Sequence, residues 1–165
     1  MVLILIVITI AIFIHEIGHA IAVLLRNKKA KAELYLGSIS KEKKLKLSLG
    51  RIICYLTIAF SGRCWVSNSE ELPLSTNKQR LIFFAGGPIA SLLGFVALYF
   101  FSQLIPGVLG IIINKIAFIS LLIFLTSVIP FRYPSFLRNI GGLQNDGLKI
   151  FNILQEIRKQ QKIVS

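Results

Sequence analysis

The chain has 165 residues, of which 55% are hydrophobic and only 16% are charged. A typical soluble domain is about half apolar and about a quarter charged, so this composition argues against a soluble enzyme, a disordered tail and a nucleic-acid-binding module. The 19 Lys and Arg residues against 7 Asp and Glu residues give a net charge of +12. In a soluble protein that excess would suggest a polyanionic partner, but in a chain this apolar the positions of the charges matter more.

Three stretches of the sequence are long and apolar enough to span a bilayer, which takes roughly 20 residues. We predict spans over about 2–25, 81–105 and 108–129, with Pro88 near the start of the second helix. A cleaved signal peptide is the competing interpretation of the first stretch. It is disfavoured because no basic residue precedes the apolar run and no small-residue cleavage pattern follows it.

The basic residues are segregated among the segments that connect the spans. Twelve Lys and Arg residues lie from Arg26 to Arg80, six follow the third span, and none precedes the first span or occupies the turn around Pro106. The positive-inside rule therefore predicts an external N-terminus, with the long connection and the C-terminus in the cytoplasm. Topology and the anionic headgroups of the lipid bilayer account for the net charge, so no nucleic-acid partner is expected. A bacterial cytoplasmic membrane suits so compact a form, and Cys54 and Cys64 should stay reduced on its inner side.

Three segments in the connection between about residues 31 and 66 have the composition of short strands. Residues 44–49 alternate between polar and apolar, which is the period of a half-buried strand, and residues 32–36 and 52–60 are also strand-like. Turn residues punctuate them: Gly37, Gly50 and Gly62. We predict a small sheet lying on the cytoplasmic membrane face, with short amphipathic surface helices as the alternative.

After Gly147, apolar residues recur at helical spacing with polar and basic residues between them: Leu148, Phe151, Leu154 and Ile157. This pattern predicts an interfacial amphipathic helix. The predicted fold class is thus a mainly α membrane protein. Three transmembrane helices, a β-rich segment between the first two and a C-terminal amphipathic helix form a single domain over residues 1–165.

The first span contains the sequence HEIGH, from His15 through Glu16 to His19. On a helix, residues four apart lie on one face, about 6 Å apart along the axis. Two imidazoles so placed can bind one Zn²⁺ ion, and Glu16 can act as the general base for a water molecule. The alternative is a pair of buried histidines that bond to a neighbouring helix. That alternative does not explain why a glutamate accompanies the histidines at the spacing that a metallohydrolase requires. An ionisable side chain inside a membrane span is also energetically unfavourable.

A catalytic zinc ion usually has three protein ligands and one open position, so a third ligand is needed from elsewhere in the chain. Asp146 is the only aspartate; it follows a Gly-Gly pair and precedes an apolar run, where the chain could turn back towards the membrane. The sequence Asn145-Asp146-Gly147 is equally suited to a turn or a helix cap, so both roles remain open. Cys54 and Cys64 are less favoured as ligands because they form no CxxC pattern.

Taken together, these motifs resemble those of the site-2 protease family of intramembrane zinc metalloproteases. HEIGH is similar to the family's HExxH in its first core helix, AGGPIAS (residues 85–91) to its GPxxN segment, and Asn145-Asp146-Gly147 to its DG signature. The resemblance covers nearly the whole chain. It implies one zinc ion held by His15, His19 and Asp146, with Glu16 as the catalytic residue. The implied activity is hydrolysis of peptide bonds in membrane-embedded or membrane-associated substrates.

The chain departs from the family's pattern at two positions. Ser91 stands where GPxxN has its asparagine, and Ser127 stands where the family's NxxP segment has one. The same resemblance predicts that four residues contact the substrate: Gly87, Pro88, Ser91 and Ser127. A serine side chain is shorter than that of asparagine and is a weaker hydrogen-bonding partner for a scissile carbonyl. An extended substrate could add as a further strand to an edge of the predicted sheet.

Two other functions are compatible with the same residues. A relative that has lost catalysis could act as a membrane binding or regulatory protein, with Ser91 and Ser127 marking lost substrate handling. A component of a metal transporter could use His15, Glu16, His19 and Asp146 as a transit site, although three spans are few for a transporter.

Overall fold

A computed structural model describes residues 2–136 and 141–164, with side chains to residue 162. The elements follow in the order α1 (Val2–Arg26), β1 (Ala32–Leu36), β2 (Leu45–Leu49), β3 (Ile52–Leu56), β4 (Gly62–Val66), a 3₁₀ turn (Ser69–Glu71), α2 (Asn77–Leu104), α3 (Gly107–Val128) and α4 (Asp146–Val164). The described part of the chain is therefore mainly helical, with one small sheet of four strands.

Helices α1, α2 and α3 are each long and apolar enough to cross a membrane. Their most apolar windows have mean hydropathies of 2.3, 2.1 and 2.5. The three predicted apolar segments are confirmed as helices. The second helix begins earlier than its apolar stretch, because Thr76 and Gln79 form a capping box: Gln79 N–H donates to Thr76 Oγ1 (3.2 Å) and Thr76 N–H donates to Gln79 Oε1 (3.1 Å).

The predicted position of Pro88 near the start of the second helix is wrong. Since α2 begins at Asn77, Pro88 lies in its interior. A proline there lacks the N–H that would bond the carbonyl of Phe84, so the ladder of helical hydrogen bonds is interrupted in the turn that faces α1.

Helices α1 and α2 approach each other closely at two glycines. A Cβ atom added at Gly86 would fall 2.5 Å from the carbonyl oxygen of Gly18, and one added at Gly18 would overlap the carbonyl oxygen of Gly86. Only glycine allows two backbones to come this near. The crossing brings the HEIGH segment of α1 against the Gly-Gly-Pro segment of α2.

The sheet has the strand order β2-β3-β1-β4. Strands β2 and β3 form an antiparallel hairpin, β3 pairs with β1 in parallel, and β4 pairs antiparallel with β1. Strand β1 has the predicted bounds, while β2 and β3 are shorter than the predicted 44–49 and 52–60. Strand β4 was not predicted as a strand, although it lies within the predicted β-rich range, and it forms one of the two edges.

The two faces of the sheet differ in character. Ala32, Leu34 and Leu36 of β1 are fully buried and join a cluster that includes Ile12 and Val23 of α1. On the opposite face, Tyr35 stacks between Tyr55 and Trp65, with ring centroids 4.6 Å from its own on each side. The alternation of small apolar and aromatic residues thus fixes which face of the sheet packs on α1.

The sheet packs along the side of α1, and the connection between β3 and β4 reaches Thr9. Thr9 Oγ1 accepts a hydrogen bond from Ala59 N–H (3.0 Å) and donates to the Ala59 carbonyl (3.1 Å). Thr9 lies 17 residues before Arg26, about 25 Å along the helix. Strand β4 therefore runs beside the HEIGH segment.

Helix α4 is present as predicted and packs on the first half of α2, but Phe151 and Leu154 of the predicted apolar face are exposed. Ile153 is buried, and Glu156 forms an ion pair with Arg80 (2.9 Å). Near the end of α4, Gln160 accepts a hydrogen bond from Asn77 (3.4 Å) at the start of α2. The two helices thus run in opposite directions, and the N-terminus of α4 lies deep beside α1.

Candidate metal centre

The two histidines of α1 turn their Nε2 atoms towards each other. His15 and His19 are both buried, and their Nε2 atoms are 3.2 Å apart. The rings meet edge to face at a centroid separation of 4.9 Å. This convergence follows from the four-residue spacing, which puts both side chains on one helix face.

Asp146, the first residue of α4, brings a carboxylate to the same point. Its Oδ2 atom lies 3.1 Å from His15 Nε2 and 3.3 Å from His19 Nε2. Among the described residues, these three bring their ligand atoms close enough together to hold one metal ion. The sequence left Asp146 open as a ligand or as part of a turn or helix cap; the structure brings its carboxylate to the two histidines at the first position of a helix.

The outer ring nitrogens are held by α2. His19 Nδ1 donates to the Phe83 carbonyl at 2.7 Å, because a carbonyl oxygen can only accept. His15 Nδ1 is 2.9 Å from Ser91 Oγ, and Ser91 is fully buried. A metal-binding histidine usually bonds through its other nitrogen to such a group, which fixes the orientation of the ring. Phe83 and Ser91 therefore orient the two imidazoles so that Nε2 can face an ion.

The size and chemistry of this group fit a zinc ion. Ligand atoms about 2.0–2.1 Å from a tetrahedral Zn²⁺ lie about 3.3–3.4 Å from one another, and the three separations observed here are 3.1, 3.2 and 3.3 Å. Two imidazole nitrogens and a carboxylate oxygen are also the ligand types that Zn²⁺ takes in proteins. Three ligands also leave a fourth tetrahedral position open.

The electrostatics around Asp146 favour its ionised form. Burial alone would raise the pKa of the Asp146 carboxyl, but the two histidines beside it hold that pKa well below its usual range. Its second oxygen, Oδ1, lies 3.8 Å from Lys149 Nζ. Asp146 therefore presents a carboxylate to the site at neutral pH.

Glu16 lies next to the metal-binding group and packs against β4. The residue is buried, and a Cβ atom added at Gly62 would fall 2.7 Å from Glu16 Oε1. Glycine at the start of β4 is thus the residue that leaves space for this carboxyl. Glu16 lines the same cavity as His15, His19 and Asp146.

The cavity in front of this group has a volume of about 600 Å³. It lies between α1, β4, α3 and the segment that precedes α4, and it also reaches Phe83 and Phe84 of α2. Most of its wall is apolar, with aliphatic residues from α1 and α3. Cys64 also lines this cavity, and burial raises the pKa of its thiol.

The structure separates the four residues predicted to bind substrate. Gly87, Pro88 and Ser91 are buried in α2 behind the histidines, and Ser91 contacts His15. Ser127 lines the cavity, but its hydroxyl donates to the Ile123 carbonyl one turn earlier in α3. Gly87 and Ser91 are thus placed to shape the metal-binding group, whereas Ser127 faces the space where a substrate would lie.

Asn145 is a structural part of this site whose contacts the sequence did not reveal. Its side chain is buried, and Nδ2 donates to the carbonyls of Thr126 (2.8 Å), Ser127 (3.2 Å) and Ile129 (2.5 Å) at the end of α3. Its Oδ1 accepts from Leu148 N–H (3.0 Å), which caps α4. One side chain therefore joins the end of α3 to the start of α4 and fixes the position of Asp146.

Comparison with protein-family models and with curated proteins finds no match to this chain.

Proposed function

We propose that this protein is an intramembrane zinc metalloprotease, similar to the site-2 protease family. The observation that carries the proposal is the convergence of His15, His19 and Asp146, with ligand atoms 3.1–3.3 Å apart and Glu16 beside them. The group lies on a helix that is apolar enough to cross a membrane. A metal site at that location, with a carboxylate free to act as a base, is suited to hydrolysis of membrane-embedded or membrane-associated peptides.

Each residue of the group has a distinct task in this proposal. His15, His19 and Asp146 would hold one Zn²⁺ ion, and Ser91 and Phe83 would keep the rings in place. A Zn²⁺ ion held there supplies Lewis acidity, which makes water acidic enough to lose a proton near neutral pH. The remaining steps belong to Glu16 and to the residues that position the peptide.

Glu16 moves the protons of the reaction. It accepts a proton from water as the water oxygen forms a bond to the carbonyl carbon of the peptide. It then gives that proton to the amide nitrogen as the carbon–nitrogen bond breaks. The products are a carboxylate and, after the second water proton reaches the amine, an ammonium group, so that atoms and charge balance.

Strand β4 is the last strand on its side of the sheet, and in this proposal an extended substrate binds along its outer edge. In an antiparallel pair, alternate residues bond to the neighbouring strand and the residues between them point outward. Gly37 N–H donates to the Ser61 carbonyl (2.7 Å) and Ser67 N–H to the Lys31 carbonyl (2.9 Å). The backbone groups of Gly62 and Cys64 therefore point away from β1, beside Glu16. A peptide added here as a strand would have its carbonyl groups next to the metal-binding group.

The proposed orientation places the N-terminus outside and both α4 and the long basic connection in the cytoplasm, with the lipid bilayer around α1, α2 and α3. Impermeant maleimide labelling of intact bacterial cells tests it in a chain whose two cysteines are replaced by alanine. Gln103→Cys, near the short turn between α2 and α3, should be labelled from outside. Glu42→Cys, in the exposed connection between β1 and β2, should be labelled only after the cells are opened. The reverse pattern would contradict the orientation.

The activity is tested with purified protein in detergent and a doubly labelled transmembrane peptide of leucine and alanine with a central Gly-Pro pair. The wild type is expected to bind one zinc ion per chain and to cleave the peptide. Glu16→Gln should keep the zinc and lose cleavage, because the ligands remain and the base is gone. Asp146→Asn should lower the zinc content, and Glu42→Gln, an exposed carboxylate, should change neither property. Undiminished cleavage by Glu16→Gln would refute the proposal, and full zinc content in Asp146→Asn would refute the assignment of the third ligand.

A further inference from the structure

Peptide hydrolysis needs a hydrogen-bond donor for the carbonyl oxygen, which gains negative charge when water adds to the carbon. The polar groups nearest the end of α3 are engaged elsewhere. The hydroxyl of Ser127 donates to the Ile123 carbonyl, and that of Thr126 donates to the Leu122 carbonyl (2.9 Å). Lys149 directs its ammonium group towards Asp146 and the ring of Phe84, 4.8 Å from its centroid. The donor has to be sought in another part of the cavity wall.

Tyr133 lines the cavity from the segment between α3 and α4. Its backbone is fixed on both sides, because Tyr133 N–H donates to the Leu143 carbonyl and Gly142 N–H donates to the Tyr133 carbonyl, both at 2.9 Å. An isolated bridge between Arg132 and Gln144 continues this pairing towards Asn145 and Asp146. The position of the Tyr133 ring is thereby tied to the position of the third metal ligand.

The hydroxyl of Tyr133 is available to a ligand. Within residues 2–136 and 141–162, it forms no hydrogen bond, while every buried side-chain nitrogen or oxygen in that same part of the chain has a partner. The Tyr133 hydroxyl is therefore not fully buried, and the residue itself lines the cavity. The ring itself is steadied by an edge-to-face contact with Phe131, at 5.0 Å between centroids.

The surroundings of Tyr133 keep its phenol protonated. Partial burial raises the pKa of Tyr133, and the negative charges of Asp146 and Glu16 raise that pKa further. Tyr133, Asp146 and Glu16 line the same cavity, so the phenol shares that space with the metal-binding group and the base. A neutral phenol is a donor of the kind that a developing oxyanion needs.

We propose that Tyr133 is a further catalytic residue, whose phenolic O–H donates a hydrogen bond to the carbonyl oxygen of the peptide bond under attack. This inference rests on the proposed function. When the water oxygen bonds to the carbonyl carbon, the π electron pair moves to the carbonyl oxygen, where the phenol stabilises it. When the carbon–nitrogen bond breaks, that pair returns to restore the C=O bond. Tyr133 keeps its proton throughout, so no further reactant is required.

Tyr133→Phe tests the proposal, with Tyr99→Phe in α2 as the matched control. Removing one such donor is expected to lower kcat on the transmembrane peptide by about 10²–10³-fold with little change in KM. Zinc content should stay at the wild-type level in both variants. Binding of a phosphinic pseudodipeptide of leucine, whose tetrahedral oxygens imitate the charged carbonyl oxygen, should weaken by roughly 10- to 100-fold in Tyr133→Phe alone.

Wild-type kcat and wild-type phosphinate affinity in Tyr133→Phe would overturn the assignment of Tyr133 and leave the proposed protease intact. Loss of zinc from Tyr133→Phe would also overturn it, since the residue would then support Asp146 and would not act on the peptide. Failure of the wild-type protein to cleave would refute the proposed function itself. In that case the phosphinate measurement still reports whether Tyr133 donates to a tetrahedral oxygen beside the metal-binding group.

Discussion

The backbone of Gly87 in α2 lies directly against the ring of His15 in α1: a Cβ atom added at Gly87 would fall 2.6 Å from His15 Nε2. The same atom would overlap Nε2 of His19. Because these two nitrogens are the atoms that would hold the ion, the missing side chain of Gly87 is part of the metal-binding geometry. The sequence pattern had suggested a substrate contact for this residue.

Gly87→Ala should therefore impair metal binding. The added methyl group needs the space of both Nε2 atoms, so at least one ring has to turn away from Asp146. We expect zinc affinity to fall by at least the roughly 10- to 100-fold that is typical when groups supporting a metal ligand are removed. Isothermal titration of the purified apoprotein with zinc measures this directly.

Gly94→Ala is the matched control for that experiment. It lies two turns further along α2, and its added Cβ would meet the Ile14 side chain at 2.8 Å, with no metal ligand nearby. Some loss of stability is expected there, with zinc affinity unchanged. Equal zinc affinity in Gly87→Ala and the wild type would show that the rings do not hold the ion in the observed arrangement.

Asn145 is expected to hold Asp146 in the position where its carboxylate meets the two histidines. Asn145→Ala removes the cap of α4 and leaves the carbonyls of Thr126, Ser127 and Ile129 without their shared donor. We expect a loss of about 2–4 kcal/mol in the free energy of unfolding and a lower zinc affinity. Unfolding in mixed micelles with increasing SDS, together with zinc titration, measures both.

Asn145→Asp distinguishes the helix cap that Oδ1 provides from the hydrogen bonds that Nδ2 donates to the end of α3. Aspartate is as good a helix cap as asparagine, but it has no N–H groups and sets a negative charge against the three α3 carbonyls. If the bonds to α3 hold Asp146 in place, Asn145→Asp should be at least as damaging as Asn145→Ala. Asn152→Ala, which removes one hydrogen bond to Gln144 (3.2 Å), should change zinc affinity little. Normal zinc binding by Asn145→Asp would assign Asn145 to capping alone.

Proline substitutions can test which edge of the sheet receives a substrate. At Cys64 a proline removes an outward-pointing N–H of β4 while the bonds to β1 remain. Ser48 is the corresponding position on the other edge, because Leu49 and Ile52 close the hairpin around a two-residue turn and Ser48 then faces outward from β2. We expect Cys64→Pro to lower peptide cleavage by at least tenfold, roughly the contribution of one substrate hydrogen bond.

Ser48→Pro should leave cleavage unchanged, and both proline variants should keep the wild-type zinc content. Cys64→Ala separates the loss of the thiol from the loss of the N–H group and should cleave normally. Equal effects of the two prolines would argue against strand addition at β4.

Features within one element were predictable from the sequence. His15 and His19 could be assigned to one site because helical periodicity alone puts them on the same face. The strand Ala32–Leu36 could be found from its own alternation of side chains. The early start of α2 had a local signal as well, in the capping box of Thr76 and Gln79, and that start places Pro88 inside the helix.

Features that depend on distant partners were not predictable in the same way. Asp146 reaches His15 across 131 residues, and the local sequence allowed a turn or cap equally well. The start of β4 at Gly62 looks like a turn, and the strand is recognisable only from its pairing with β1 and its contact with Glu16. The availability of Tyr133 and the engagement of Ser127 depend on hydrogen bonds, which residue types alone do not specify.

The packing of the sheet along α1 has a consequence for a transmembrane peptide substrate under the proposed function. It places β4 beside the apolar helix, where the peptide would have to unwind. Opening one helical turn exposes about four amide and carbonyl groups to hydrocarbon, where water cannot solvate them. Among the residues that the structure describes, the outward backbone groups of Gly62 and Cys64 in β4 also have no partner. Under the proposed function, hydrogen bonds between β4 and the opened peptide would satisfy both sets of groups. Under the proposed function, unwinding is thereby favoured only beside the zinc ligands, and peptides elsewhere in the membrane keep their helices closed and uncut.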